Sequence, residues 1–254
     1  MNTAVLTAST ETDRRSMPRL VPRLRGFYVG MALLMTAIVL AGFWPSYFGL
    51  LVRGAAARPW VIHVHAAVFI GWMVLLLVQV ALVASGRTRA HRKLGTFGMG
   101  YGVLVLVIGL VVSFASPVLH LVAGEWEIDR AASFLLLPLG DMVLFAGFFG
   151  AAIAYRSQSA IHKRLIVLAT VALLFAAAAR LAGIASPLIL LLVWLFPLLV
   201  AIGHDGLTLR RIHPTYLIGT AILLVGFCRI FFMQSESWLG IGRTMLTALM
   251  QSGS

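Results

Sequence analysis

The stretch that decides the fold runs from residue 59 to residue 94, PWVIHVHAAVFIGWMVLLLVQVALVASGRTRAHRKL. No Asp, Glu, Lys or Arg occurs between residues 61 and 84. At about 1.5 Å per helical residue, this length crosses a hydrocarbon core of about 30 Å. Basic residues then crowd the short segment 87–93, and such loops stay on the cytoplasmic side of a membrane. The stretch therefore predicts a membrane span that enters from outside, with His63 and His65 first.

The composition excludes a soluble globular domain. Hydrophobic residues make up 61% of the chain and charged residues only 11%, and the mean hydropathy is +0.99. The net charge of +12 comes from short basic clusters between apolar runs, not from a continuous basic groove. We therefore expect membrane lipids with anionic headgroups as partners, and no nucleic acid.

The same pattern of apolar runs and short polar loops predicts an all-α integral membrane bundle of seven transmembrane helices. We expect a cytoplasmic basic tail over 1–26, a seven-helix domain over 27–233 and a short outer tail over 234–254. In this interpretation Ser186 and Pro187 separate the fifth span from the sixth, and GHDGLTLRRIHP forms a third basic turn. The predicted spans lie at about 27–51, 61–84, 95–119, 132–155, 165–182, 188–202 and 215–233.

The distribution of charge predicts the orientation. The tail and the loops after spans 2, 4 and 6 carry most of the 20 Lys and Arg residues. The loop after span 3 is acidic instead, with Glu125, Glu127 and Asp129. This bias predicts that the N-terminus lies in the cytoplasm and the C-terminus outside.

Three loop segments resemble one another and indicate an internal repeat. RTRAHRKLG is similar to SQSAIHKRLI and, more distantly, to TLRRIHPTYL, which places His91, His162 and His213 at equivalent starts of spans 3, 5 and 7. Ala-Ser-Pro also ends spans 3 and 5, at 115–117 and 185–187. The pattern predicts three hairpins in parallel orientation, preceded by span 1.

One hairpin carries a resemblance to a known group of proteins. His-x-His, Gly-Trp-Met, Gly-Arg and His-Arg-Lys-Leu-Gly follow one another between His63 and Gly95. These elements resemble uncharacterised bacterial polytopic membrane proteins with an HRxLG loop motif. The resemblance implies a multi-pass protein of the bacterial inner (cell) membrane and supplies no activity.

The chain lacks residues that several functional classes of membrane protein require. Retinal proteins of similar size use a lysine in the last span, and both lysines here, Lys93 and Lys163, lie in predicted loops. The seven-helix zinc hydrolases and receptors typically carry His-x-x-x-His in the last span, which contains no histidine beyond His213. No nucleotide-binding loop, nucleophile elbow or metalloprotease helix occurs, so soluble-type catalysis has no support.

An outer polar cluster is predicted from ionisable residues inside the spans. Asp141 lies about 12 Å below the outer end of span 4, where a carboxyl needs a protein or water partner. Arg180 and Arg229, near the outer ends of spans 5 and 7, are the available counter-charges. His63 and His65 complete the predicted cluster. The alternative is a salt bridge that locks three spans together without a ligand.

The histidines allow a second kind of site. His91, His162, His204 and His213 lie at the predicted inner face, where they either bind helix ends and lipid phosphates or converge on a haem or metal. His63 and His65 would bind one metal only if their span began as extended chain, since residues two apart on a helix point to nearly opposite faces.

Three hypotheses for the function remain open. The first is a histidine-based redox, metal- or haem-binding membrane protein, with haem or a transition metal as cofactor. The second is a transporter or small-ligand receptor that uses the Asp141 cluster. The third is a non-catalytic accessory subunit that binds other membrane subunits. An absorption spectrum with metal analysis, and ligand binding that depends on Asp141, would separate them.

Overall fold

The computed structural model of the protein describes residues 20–55, 58–183 and 186–252, with side chains from residue 26 onward. The predicted basic tail over 1–26 therefore lies mostly outside the described residues. All regular structure in the described ranges is helical. The elements are α1 Leu20–Phe43, a π-helical turn Trp44–Phe48, α2 Gly49–Val52, α3 Trp60–Ala84, α4 Thr88–Val122, α5 Ile128–Ala154, α6 Ser159–Leu173, α7 Phe175–Ala182, α8 Pro187–Leu209, α9 Pro214–Phe227, α10 Arg229–Phe232 and α11 Glu236–Ser252.

The helices have the length and composition of membrane spans. Within the described ranges, six helical segments are long and apolar enough to cross a bilayer, namely 26–52, α3, α4, α5, α8 and 214–232. Helices α6 and α7, of 15 and 8 residues, are each too short and pass the same test only together, with a bend of 48° between them. The chain is thus a multi-pass helical membrane protein with six spans, or seven if the bent pair is one span.

The bent pair α6–α7 lies at the centre of the bundle. Helix α6 packs against α5, α8 and α9, and α7 packs against α1 and α8. The other spans follow one another around it, with α1 on α3, α3 on α4, α4 on α5, α5 on α9, α9 on α8 and α8 on α1. Most side chains from residue 164 to residue 178 are buried. The indole of Trp72 in α3 donates a 3.4 Å hydrogen bond to Thr170 in this central pair.

Two ends of the bundle are distinguished by their connections. We call the end with connections 85–87, 155–158 and 210–213 the basic end, and the end with connections 123–127 and 233–235 the acidic end. Arginines occur in each connection of the basic end, whereas Glu125 and Glu127 lie in the connection between α4 and α5.

Some helix boundaries differ from the predicted ones. Helix α8 continues to Leu209, so much of the predicted third basic turn is helical, because Asp205 lies on the buried face of that helix. Helix α4 continues through Pro117 to Val122, since a span tolerates one proline within it. Ala-Ser-Pro therefore does not end the third span. The last predicted span is interrupted at Cys228.

The predicted outer tail contains a helix that docks on the bundle. The Trp238 indole in α11 donates to the carbonyl oxygen of Ala132 at 2.9 Å. Gly242 approaches so closely that an added Cβ would lie 2.8 Å from the Ala132 Cβ. Arg243 pairs with both carboxylate oxygens of Asp129, at 2.5 and 2.9 Å. Helix α11 thus covers the start of α5 at the acidic end.

Candidate functional site

Asp141 and Arg229 form a buried ion pair between α5 and α10. Arg229 Nη2 donates to Asp141 Oδ1, and Nη1 donates to the carbonyl oxygen of Gly226 at 3.0 Å. Both side chains are 8% exposed. The guanidinium carbon also lies 4.5 Å from the ring centre of Phe175 and 6.0 Å from that of Trp194. The structure thus brings these two predicted site residues together in an aromatic enclosure.

The pair is not fully satisfied by the protein. Arg229 Nε is buried and has no hydrogen-bond partner among the described residues. The arginine stem lies directly against α5 at Gly140, where an added Cβ would meet Arg229 Cδ at 2.6 Å. The absence of a side chain at residue 140 therefore makes room for Arg229 beside Asp141.

Two helix breaks meet at this pair. The bent central span changes direction at Leu174, and Phe175, which lies under Arg229, is the first residue after that bend. The other break is at Cys228, the residue before Arg229. The carbonyl of Val171 at the first break accepts from the Leu174 N–H at 3.0 Å and from the Trp194 indole at 2.8 Å. Side-chain donors thus compensate for irregular backbone around the pair.

Arg180 does not join this ion pair, although the sequence made it a candidate counter-charge for Asp141. Its Nη1 donates to the carbonyl oxygen of Ala176 in its own helix at 2.9 Å, and its guanidinium carbon lies 4.3 Å from the ring centre of Phe43. Within the described ranges, Arg180 makes no ion pair with a carboxylate. The 48° bend before α7 turns this side chain towards α1.

His63 and His65 point to different neighbours. Nδ1 of His63 lies 2.8 Å from the Tyr47 hydroxyl in the π-helical turn. The ring of His65 lies 4.1 Å from that of Phe69, and its buried Nδ1 has no partner in the described part of the chain. Arg180 is an electrostatic neighbour of His65. Both histidines lie in regular helix from Trp60 onward, so the extended start that joint metal binding requires is absent here.

A second buried ion pair, which the sequence analysis did not single out, lies at the basic end. Arg164 Nε and Nη2 donate to the two carboxylate oxygens of Asp205 at 2.8 and 2.7 Å. Its third nitrogen, Nη1, donates to the carbonyl of Ala160 at 2.6 Å. The side chains are only 3% and 2% exposed. The pair joins the central helix α6 to α8.

Two of the predicted inner histidines fasten the end of one span to the start of the next. His162 Nδ1 donates to the carbonyl oxygen of Ala152 at 2.8 Å. His91 Nδ1 accepts from the side-chain amide of Gln79 at 2.6 Å, and the Gln79 oxygen accepts from the Gly95 N–H at 3.0 Å. Each contact closes the basic end of a helical hairpin.

The other two inner histidines have different surroundings. His213 accepts a 3.2 Å hydrogen bond from the Thr215 N–H and so begins α9, and burial together with the charge of Arg164 lowers its pKa. His204 lies within α8, where its ring stacks on Phe27 with centroids 3.6 Å apart. His91 and His162 therefore share one kind of contact, whereas His213 has another.

The described residues supply no ligand set for a metal. They contain no group of three or more His, Cys, Asp or Glu side chains placed to hold an ion. His91 and His162 use ring nitrogens to join helices, and His63 and His65 diverge. The predicted histidine-based metal site is therefore not supported, because these rings serve helix contacts.

Comparison with family models, with curated proteins and with solved structures finds no match to this chain.

Proposed function

We propose that this chain binds a small polar solute inside the membrane, as a transporter or a ligand receptor, at the Asp141–Arg229 pair. The observation that carries the proposal is that the bent central span changes direction at Leu174 beside this pair, where the span of Arg229 also has a one-residue irregularity at Cys228. Interrupted spans expose backbone polar groups at membrane depth, and transporters place their substrate sites at such points. Ionisable residues within spans likewise mark solute pathways.

Further irregularities surround the same place. Pro138 interrupts the hydrogen bonding of α5 one turn before Asp141, and Pro197 does so in α8, one turn after Trp194. The four elements that enclose the pair are therefore all weakened locally. A pair that served only to lock helices would not need this arrangement, and the unpartnered Arg229 Nε offers a donor to a solute.

The proposed orientation places the basic end in the cytoplasm and the acidic end outside, with the bent pair α6–α7 as one of seven spans. The basic connections support it through the bias of Lys and Arg towards cytoplasmic loops. We also propose the bacterial cell membrane as the location, the three-hairpin repeat, and membership of the HRxLG group. A reporter fused after Ala123 should then lie outside, and one fused after Ser157 in the cytoplasm; the opposite result would reverse every assignment of side.

The test of solute binding compares two carboxylates of the same helix, α5. The full chain, purified in lipid nanodiscs, is screened by thermal unfolding against amino acids, organic acids, sugars and nucleosides. Asp141→Asn should abolish the stabilisation by any solute that raises the melting temperature, because the buried partner of Arg229 changes. Asp129→Asn is the matched control, since Asp129 also pairs with an arginine but lies on the surface.

Unchanged binding by a folded Asp141→Asn variant would make the pair structural and favour the accessory-subunit hypothesis. One observation supports that second candidate. A lipid-facing apolar groove of about 340 Å³ lies between α4 and α5, and Ala146 and Gly150 in its lining leave room for the span of another subunit. Fixed co-purification of a partner, lost when Gly150 is replaced by Leu, would then be expected.

A further inference from the structure

We propose that α11 is an interfacial helix, which inserts one apolar flank into the acyl chains of the leaflet at the acidic end. The flank consists of Ile241, Met245 and Leu249, and we call it the lipid flank. Its contact with lipid is independent of the proposed solute site, since α11 shares no residue with the Asp141–Arg229 pair.

Helix α11 crosses the ends of two spans. The polar contacts of residues 234–243 with α5 all fall on residues 129–133, in the first turns of that span. A helix of 17 residues is about 25 Å long, so polar contacts would extend further along α5 if the two helices ran side by side. Helix α11 also packs on α4, whose Val118 and Leu121 border the same apolar cluster. The helix therefore lies at the level where both spans end.

The side chains of α11 are segregated around its axis. At about 3.6 residues per turn, every apolar side chain from residue 236 to residue 251 lies on one half of the helix and every polar one on the other half. Leu239, Gly242 and Leu246 in the apolar half are buried against the bundle. The lipid flank lies about a quarter of a turn away from them, and its side chains are between 39% and 52% exposed. The bundle thus covers only part of the apolar half.

The surroundings of the lipid flank favour acyl chains as its partner. Helices α4 and α5 have the length and composition of membrane spans, so lipid surrounds their outward sides up to the level of α11. Two indoles lie at this level, since Trp238 belongs to α11 and Trp126 packs against the cluster that contains Leu239 and Leu246. Tryptophan is enriched at the boundary between membrane and water.

The polar half of α11 indicates the direction of the water. Arg243 lies at the edge of this half, and the side chains of its pair with Asp129 are 38% and 51% exposed. A helix with such separated halves lies in the plane of the interface, with its apolar side at the boundary of the acyl chains. Because α11 contains one acidic and one basic side chain, attraction to anionic headgroups contributes little, and the contact depends on apolar burial.

The test measures which side of α11 contacts lipid, with the full chain in phosphatidylcholine nanodiscs. Nitroxide spin labels are attached to single cysteines in a Cys228→Ser background, because Cys228 is the only cysteine of the sequence. Ile241→Cys and Met245→Cys report on the lipid flank, and Thr244→Cys and Thr247→Cys are the matched controls on the exposed polar half. Collisions with oxygen, which is enriched among acyl chains, are compared with collisions with a water-soluble nickel chelate.

We expect oxygen collisions to dominate at residues 241 and 245, and nickel collisions at residues 244 and 247. Replacing part of the phosphatidylcholine with phosphatidylglycerol should leave these ratios unchanged, and a dependence on it would overturn the apolar basis of the contact. Nickel collisions that dominate at 241 and 245 overturn the proposal, because the flank then faces water. Weak collisions with both reagents also overturn it, since a protein surface, such as a second copy of the chain, then covers the flank.

Hydrogen exchange of the unlabelled chain in the same nanodiscs decides the question if the labelled variants fail to fold. The variant with Ile241→Gln and Met245→Gln removes apolar contact and keeps good helix formers. Amides of α11 should exchange about tenfold faster in this variant than in the control with Thr244→Ser and Thr247→Ser, because the docked helix opens more often. Equal exchange in the two variants overturns the insertion of the lipid flank.

Discussion

The bundle carries two buried arginine–aspartate pairs, one at the basic end and one that joins the middle of α5 to α10, and the protein satisfies the two pairs to different degrees. Arg164 at the basic end uses all three nitrogens, two on Asp205 and one on a backbone carbonyl. Arg229 at the acidic end leaves Nε without a partner and relies on two aromatic rings for enclosure. The first pair joins regular helices, whereas the second lies where two helices are broken.

Under the proposed function, this difference is that between a structural pair and a functional one. A buried pair is retained at little cost only when every donor and acceptor is bonded, which describes Arg164 and Asp205. The Arg229 pair keeps a donor unused and lies beside two irregular helices, which suits a site that binds and releases a solute. Removal of the Asp205 carboxylate and removal of the Asp141 carboxylate should therefore lower the free energy of unfolding by different amounts.

The largest expected effect comes from Asp205→Ala. It strands a buried guanidinium at the basic end of the central helix, and we expect a loss of about 3–5 kcal/mol in the free energy of unfolding. Asp141→Ala should cost about 1–2 kcal/mol less, since the Arg229 charge keeps two aromatic rings, Phe175 and Trp194, whereas Arg164 keeps one, Tyr216. Unfolding in mixed micelles of increasing SDS content measures both.

The control for this pair of variants is the double replacement of Arg164 by Met and Asp205 by Leu. It removes both charges together and should recover most of the stability. A greater loss from Asp141→Ala than from Asp205→Ala would contradict the division into a structural and a functional pair.

A smaller effect is expected from Gly140→Ala. The new Cβ would lie 2.6 Å from Arg229 Cδ and push the guanidinium away from Asp141, at a cost of about 1–3 kcal/mol. Gly147→Ala in the same helix is the matched control, because nothing lies within 4 Å of its Cβ position. Alanine there should be neutral or stabilising by about 0.5–1 kcal/mol. Equal effects on the melting temperature would show that the close approach does not position Arg229.

The smallest expected effect concerns pH at the basic end. Burial lowers the pKa of His213, so its neutral form is favoured in the folded protein and its contribution to stability is lost as the pH falls below about 6.5. His213→Asn removes the titration and keeps an acceptor for the Thr215 N–H. Between about pH 7.5 and about pH 5.5, the melting temperature of the unaltered protein should fall more than that of the variant. An equal fall would remove His213 as a pH-sensitive contact.

The sequence predicted six of the apolar spans and named Arg229 as one of two candidate partners of Asp141, because both predictions depend on hydropathy and on the cost of a charge in lipid. The position of Arg180 depends on the bend at Leu174. The sequence remains apolar through this bend, so a hydropathy profile cannot predict it. The sequence therefore identified Arg180 as ionisable within a span, but it did not predict that the side chain turns towards α1.

The pair at the basic end escaped prediction because both residues belong to segments interpreted as basic loops. Their helical spacing nevertheless carried the information. Asp205 continues a buried face four, seven and eleven residues after Ala201, Leu198 and Trp194, and Arg164 begins a similar face that includes Leu168, Val171 and Phe175. These segments were interpreted as loops because of their charge. The helical spacing of their buried residues would instead have extended both helices through them.

The central place of α6–α7 has a consequence for the biogenesis of the protein. This span carries two arginines and is surrounded by helices, several of which are synthesised after it. Asp205 follows Arg164 by 41 residues, so at about 5–20 residues per second the ribosome supplies the counter-charge roughly 2–8 s later. During that interval the nascent hairpin of α5 and α6 has to keep the guanidinium at the headgroup level. The central span of the bundle is therefore the one whose membrane insertion depends most on helices that are synthesised after it.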